Sequence, residues 1–138
     1  MRVLLGVILN VVCSAFALGL GHSVNIKFLR YARNGDVQKL RRAVLEHPIG
    51  VIDLDAALAA AAAHSKIHAM AFLIDCGAAD LDRALLSAAM RDHVGAVKFL
   101  ISSDRYVPAS NLKEARNLAS TTSAINAEWV LVTHSTDK

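Results

Sequence analysis

The 138-residue sequence has few cysteines, few aromatic residues and little net charge, and each shortage excludes something. Removal of an N-terminal segment containing Cys13 would leave Cys76 as the only cysteine, so no intrachain disulfide could brace the domain. Aromatic residues make up 5% of the chain and apolar residues 54%, so a core must be built mainly from Ala and Leu. A net charge of +3 is too small to hold nucleic acid by phosphate neutralisation alone.

Sequence signatures of catalysis and of metal binding are also missing. The chain has no nucleophile elbow, no phosphate-binding loop and no Cys-x-x-Cys motif. His64 and His68 are four residues apart, but a turn predicted at 65–66 separates them and no Glu or Cys follows at ligand spacing. We therefore expect a protein that is not an enzyme and that uses no metal or cofactor.

The first 17 residues have the plan of a secretory signal peptide. Arg2 supplies a positive charge, residues 3–12 are apolar apart from Asn10, and Ala15 and Ala17 are small residues suited to cleavage after Ala17. The alternative is a membrane anchor, because the apolar run extends to Leu20, close to the roughly 20 residues that a spanning helix needs. Residues 18–25 are predicted to be a short linker.

A repeated segment carries the strongest structural signal. The hexapeptide Asp-Leu-Asp-Ala-Ala-Leu at 53–58 recurs 27 residues later as Asp-Leu-Asp-Arg-Ala-Leu at 80–85, and the sequences that follow the two copies are also alike. Self-similarity at such a period is typical of stacked repeat proteins, which build binding surfaces more often than active sites. Because the paired aspartates recur with the period, we assign them to helix capping and loop solvation rather than to acid–base chemistry.

Each unit is interpreted as two short helices, and no sustained strand alternation is present. The first helices are predicted at 26–33, 56–64, 83–91 and 112–120, and the second helices at 37–45, 67–75, 94–102 and 125–132. The predicted N-caps are Asn25, Asp55, Asp82 and either Ser110 or Asn111. The predicted turns lie at Gly35, Ser65, Asp92 and about Ser123. The predicted inter-repeat core includes Leu58, Ala62, Ile74, Leu85, Ala89 and Ile101.

These residues resemble the ankyrin repeat family. The likeness rests on the segments 32–38 and 89–94, on the second-helix segment 96–101 and on the Cys-Gly-Ala-Ala-Asp connection at 76–80. It covers residues 26 to about 132, in units of about 26–55, 56–82, 83–111 and 112–132, followed by a polar tail at 133–138. Spacings of 30, 27 and roughly 31 residues are shorter than the family period of about 33, so the hairpin fingers are expected to be mostly missing.

The resemblance implies an all-α solenoid that binds another protein, and it implies that His93 hydrogen-bonds to backbone at its turn. The candidate partner-binding face comprises Arg30, Arg33, His64, Ser87, Arg91 and Asp92. Trp129 either covers the end of the stack or serves as an exposed aromatic anchor.

We expect a secreted module with an unidentified protein partner, no specific nucleic acid, and membrane contact only if the N-terminal segment is retained. One alternative is a membrane-tethered adaptor. Another is a secreted pathogen effector acting inside host cells, because Arg30-Tyr31-Ala32-Arg33 is similar to the Arg-x-Leu-Arg motif of oomycete effectors, with Ala in place of Leu.

Overall fold

The protein is all-helical in a computed structural model that describes residues 20–48, 50–103, 109–121 and 124–136. The described residues form eight helices and no strand. The helices are α1 (Leu20–Asn34), α2 (Val37–Glu46), α3 (Leu54–Ala62), α4 (Ile67–Asp75), α5 (Leu81–Met90), α6 (Val94–Ser102), α7 (Ala109–Thr121) and α8 (Ile125–Thr136). The predicted signal segment lies outside the described residues. None of the described helices is long and apolar enough to cross a bilayer.

The helices pack as two sets. Each odd-numbered helix contacts the next odd-numbered one, from α1 through α7, and each even-numbered helix contacts the next even-numbered one. Each odd-numbered helix also packs on the even-numbered helix that follows it. Helices of the same set therefore cover one another's apolar sides, which is how short amphipathic helices form a common core.

The core follows the repeat period. Phe28, Leu58 and Leu85 occupy the same place in α1, α3 and α5, and all three side chains are fully buried. Alanines surround them on the same helices, and their small side chains let neighbouring helices approach closely. Ile74 and Ile101, which were predicted to lie in the inter-repeat core, pack against that core but are only partly buried. In α4 and α6 the preceding residues, Leu73 and Leu100, are the fully buried ones.

The predicted turns at Gly35, Ser65 and Asp92 are confirmed, because all three residues have a positive φ, of 77°, 55° and 58°. At each turn the next residue donates its N–H to a carbonyl five positions back: Asp36 to Tyr31, Lys66 to Ala61 and His93 to Ala88. This is the Schellman geometry that ends a helix at a left-handed residue. Ser123, the predicted fourth turn, lies outside the described residues, although Ala124 donates the corresponding bond to Ala119.

The predicted N-caps are wrong. Asp53 caps α3 by accepting from the N–H of Ala56 at 2.9 Å, and Asp80 caps α5 by accepting from Arg83 at 3.0 Å. Asp55 and Asp82 lie two residues later, inside the first turn of each helix. In the other two units, Asn25 lies within α1, and Ser110 and Asn111 lie within α7.

Two of the residues first assigned to capping, Asn25 and Asp55, link consecutive helix pairs instead. The Asn25 side-chain oxygen accepts from the N–H of Asp53 at 3.0 Å, immediately before α3. One carboxylate oxygen of Asp55 accepts from Ala79 at 2.7 Å and from Asp80 at 3.1 Å, immediately before α5. Each of these two side chains therefore holds the start of the next pair, a role that local sequence does not indicate.

The segment boundaries also differ from prediction. The proposed linker at 18–25 is helical from Leu20 onward, and the proposed polar tail is helical as far as Thr136. The first helices of the second, third and fourth units begin two or three residues earlier than expected. The predicted bounds of α4 and α6 are confirmed.

The fully buried Leu85 gives a test of this core. Leu85→Ala is expected to lower the free energy of unfolding by about 2–5 kcal/mol, because the cavity forms between packed helices that cannot fully collapse around it. Lys98→Ala, on the exposed side of α6, is expected to change it by less than about 0.5 kcal/mol. Urea titration measures both values, and equal effects would contradict the packing described.

The link made by Asp55 gives a second test. Asp55→Ala removes the acceptor of two backbone N–H groups, so we expect a loss of about 1–2 kcal/mol in the free energy of unfolding. The matched control is Asp75→Ala, which removes an exposed carboxylate at the end of α4. A variant with Asn at position 55 retains a side-chain acceptor and should recover part of the loss. Equal stability of the Asp55 and Asp75 variants would show that the link does not matter.

Candidate functional site

The turns between paired helices form a continuous ridge. A methyl group added at Gly35 would lie 3.0 Å from Lys66 Cδ. The first turn therefore contacts the side chain of Lys66, the residue that follows the left-handed residue of the second turn. A methyl group added at Gly95 would lie 3.7 Å from Ser65 Oγ, so the second turn also touches the start of α6. Side chains from three consecutive helix pairs are therefore brought together along one edge of the molecule.

Five basic side chains meet on this ridge. We call them the turn cluster: Arg33, His64, Lys66, Arg91 and His93. Arg33 Nε donates a hydrogen bond to His64 Nε2 at 3.3 Å, although the two residues are 31 positions apart. Accepting this bond requires a neutral imidazole at position 64, with its proton on Nδ1. Arg33 and Arg91 are exposed, whereas the other three are half-buried.

The pKa of His64 is sensitive to the other members of the turn cluster, which shows that they lie near it. Its pKa is lowered from the ordinary 6.5, first by partial burial and then by the charges of Arg33, Arg91, His93 and Lys66. Both causes disfavour the imidazolium form, because a further positive charge would be poorly solvated and would repel its neighbours. Partial burial and the neighbouring positive charges therefore favour the neutral form of His64.

Carboxylates offset only part of this charge. In the described ranges the ion pairs are Lys39–Asp36 at 2.9 Å and Arg42–Glu46 at 3.0 Å, and neither includes a member of the turn cluster. Asp92 is adjacent in sequence to two members and its charge acts on His93, but its oxygens accept hydrogen bonds from another helix pair. One oxygen accepts from the N–H of Ala127 at 2.7 Å and the other from the amide of Asn126 at 2.8 Å.

Asp92 therefore holds the start of α8, and its place on the binding face stays a prediction. The Ala127 N–H, followed by the Asn126 amide, lowers the pKa of this carboxyl below its ordinary 3.8. The bonds favour the ionised form because only a carboxylate offers both oxygens as acceptors. Like Asp55, Asp92 links its own helix pair to the next pair. Asp55 lies in the first turn of α3, whereas Asp92 lies just after the end of α5.

The remaining predicted site residues are not joined to the turn cluster by hydrogen bonds. Arg30 is exposed, and its guanidinium carbon lies 5.9 Å from the ring centroid of Tyr31. Ser87 is half-buried, and its hydroxyl donates to the carbonyl of Arg83 at 2.8 Å within α5. Trp129 lies on α8 with 66% of its surface exposed.

His93 and Lys66 were not predicted as site residues. The backbone hydrogen bond expected for the His93 side chain is not made to the helix that it precedes, since neither His93 nor Lys66 makes a side-chain cap bond. Their position after a left-handed turn residue was visible in the sequence. Their proximity to Arg33 and Arg91 was not, because it depends on contacts between units.

The first helix pair carries a second basic region. A groove of about 430 Å³ lies between α1 and α2, and its lining includes Tyr31, Lys27, Lys39 and Arg42. Two of the three cations there are already paired with carboxylates of α2 or of the turn before it. These exposed pairs stabilise the fold little, but they neutralise much of the local charge.

Cys76 does not lie in the environment of a reactive thiol. Burial, with the charge of Asp75, raises the pKa of the Cys76 thiol, which keeps it protonated and weakly nucleophilic. Among the residues that the structure describes, no three His, Cys, Asp or Glu side chains are grouped so that they could hold a metal ion.

The chain matches no protein-family model, and no curated protein matches it.

The hydrogen bonds to Asp92 predict an acid-dependent stability. Because the pKa is lowered on folding, the carboxylate contributes its full stability above the ordinary value of 3.8 and loses it as the pH falls through the lower folded value. The difference in urea midpoint between the wild type and Asp92→Ala should therefore be largest near neutral pH and should narrow below pH 3.8. A difference that stays constant down to the acid limit of folding would contradict the assignment.

Proposed function

We propose that this chain is a secreted protein-binding module, a solenoid of four short ankyrin-like helix pairs that performs no catalysis. The observation that carries the proposal is the convergence of Arg33, His64 and Arg91, from three consecutive helix pairs, on one surface. Repeat proteins bind through such surfaces, to which each unit contributes a few side chains.

The residue positions on the odd-numbered helices support the same reading. Arg30, Ala60 and Ser87 are spaced by 30 and 27 residues, so they occupy one row across α1, α3 and α5. None of the three is fully buried, and the middle one is an alanine, which leaves room for a side chain of a partner. A stable complex needs roughly 800 Å² from each partner, which several adjacent units can supply and a single helix pair cannot.

The face can be tested by charge reversal with a matched control. Arg30→Glu combined with Ser87→Glu changes the predicted face, whereas Lys98→Glu combined with Ser102→Glu makes the same changes on α6. Both serines donate to backbone carbonyls of their own helices, so the structural effect is also matched. The immobilised wild-type protein is expected to retain a specific protein from extracts, identified by mass spectrometry, that the α6 variant also retains and the face variant loses.

Equal recovery by the wild type and by the face variant would count against the face. Recovery of nothing above an unrelated helical protein would count against the proposed function itself. Circular dichroism of each variant keeps a folding defect from being read as a binding defect.

A further inference from the structure

The turn cluster shows which chemistry the surface fits. Arg33, Lys66 and Arg91 carry permanent charge, and no ion pair of the described part of the chain includes them. The charge of Asp92 offsets part of this positive charge, although its oxygens accept hydrogen bonds from Asn126 and Ala127. The like charges that remain repel one another, so an added anion stabilises the cluster.

Helix stability accounts for two members of the turn cluster but not for two others. Arg33 and Arg91 stand at the carboxyl ends of α1 and α5, where a positive charge interacts favourably with the helix dipole. Lys66 and His93 stand immediately before α4 and α6, where the dipole disfavours a positive charge and where Ser, Thr, Asp or Asn would stabilise the helix. Neither side chain caps its helix. Their basic character is therefore unexplained by helix stability.

The spacing within the turn cluster follows from the packing of the odd-numbered helices. Its permanently charged members, Arg33, Lys66 and Arg91, come from α1, from the turn after α3 and from the turn after α5, and these odd-numbered helices pack side by side. Packed helices are about 8–10 Å apart. A peptide in the polyproline II conformation places every third side chain on one side, at about 9 Å intervals. The two spacings agree, so a single extended segment can bring one carboxylate to each unit.

We propose that the turn cluster docks an extended acidic protein segment whose Asp or Glu residues recur at every third position. The proposal rests on the proposed function and specifies the chemistry of the partner. An acidic segment fits better than nucleic acid, because a cluster with three permanent charges, in a chain of net charge +3, neutralises too few phosphates to hold a strand firmly.

Docking also couples to protons. In the free protein the groups that face His64 are Arg33 of α1, Arg91 after α5, and Lys66 and His93 of the two turns, all of them basic. A carboxylate placed among them offsets that repulsion and favours the imidazolium form of His64, which then no longer accepts the hydrogen bond from Arg33 Nε. The complex therefore takes up a proton, and binding tightens as the pH falls toward the lowered pKa of His64 in the free protein.

The experiment uses fluorescence anisotropy with a labelled peptide of three Glu-Pro-Pro units. Its controls are a peptide of the same composition with the three Glu residues adjacent, a peptide with Gln in place of Glu, and a short oligothymidylate. The protein variants are Arg33→Gln combined with Arg91→Gln, and the charge-matched control Lys98→Gln combined with Lys113→Gln, both of whose lysines are exposed.

The spaced acidic peptide is expected to bind the wild type and the control variant alike, and the turn-cluster variant at least about fivefold more weakly, as loss of two exposed ion pairs implies. Affinity should fall with added salt. It should rise from about pH 7.5 to about pH 5.5, and His64→Gln should flatten that rise.

Four results would overturn the proposal. They are no binding of the spaced peptide, equal binding by the turn-cluster and control variants, equal binding of the spaced and adjacent-Glu peptides, and tighter binding of the oligothymidylate. None of these results depends on Arg30 or Ser87, so capture of a protein through those residues would leave the proposed function standing while the acidic-segment proposal failed.

Discussion

The rest of this structure depends on one constraint, which is that most of the described helices are too short to be stable alone. The helices α2 to α6 contain nine or ten residues each, fewer than the about 12–15 at which an isolated helix becomes marginally stable. Each one persists only because a neighbour covers its apolar side, as Phe28, Leu58 and Leu85 illustrate by being fully buried at equivalent positions. The stability of every helix pair is therefore tied to that of the next pair along the chain.

The same dependence decides where the charges are used. Asn25, Asp55 and Asp92 direct their side-chain oxygens to backbone N–H groups of a later helix pair, so they hold the stack together. Lysines and arginines have no acceptor atoms and cannot make such bonds, and they remain in water. Because Asp55 and Asp92 direct their oxygens to these links, the arginines and the lysine of the turn cluster are left without an ion pair among the described residues.

The sequence predicted those features whose signals are local. The bounds of α4 and α6 and the left-handed residues at Gly35, Ser65 and Asp92 follow from apolar spacing and turn preferences within a few residues. The N-caps of α3 and α5 were predicted two residues too late, because each Asp-Leu-Asp segment contains two possible caps. The choice between them depends on bonds such as that from Ala79 to Asp55, 24 residues away. Contacts between helix pairs, such as the hydrogen bond from Arg33 to His64, join residues that are far apart in the sequence. The spacing of residues within one helix therefore does not predict them.

In each of the first three helix pairs, the residue that follows the left-handed residue closes the turn through its backbone alone. Asp36, Lys66 and His93 occupy that position, and each donates the same backbone hydrogen bond five residues back. None of them uses its side chain to cap the helix that follows. Because the backbone bonds alone close the turn, the side chain there can be an acid, a base or an imidazole without altering the fold. The charge at this turn position can therefore change without loss of the backbone bond, and in this chain two of its three residues, Lys66 and His93, are basic.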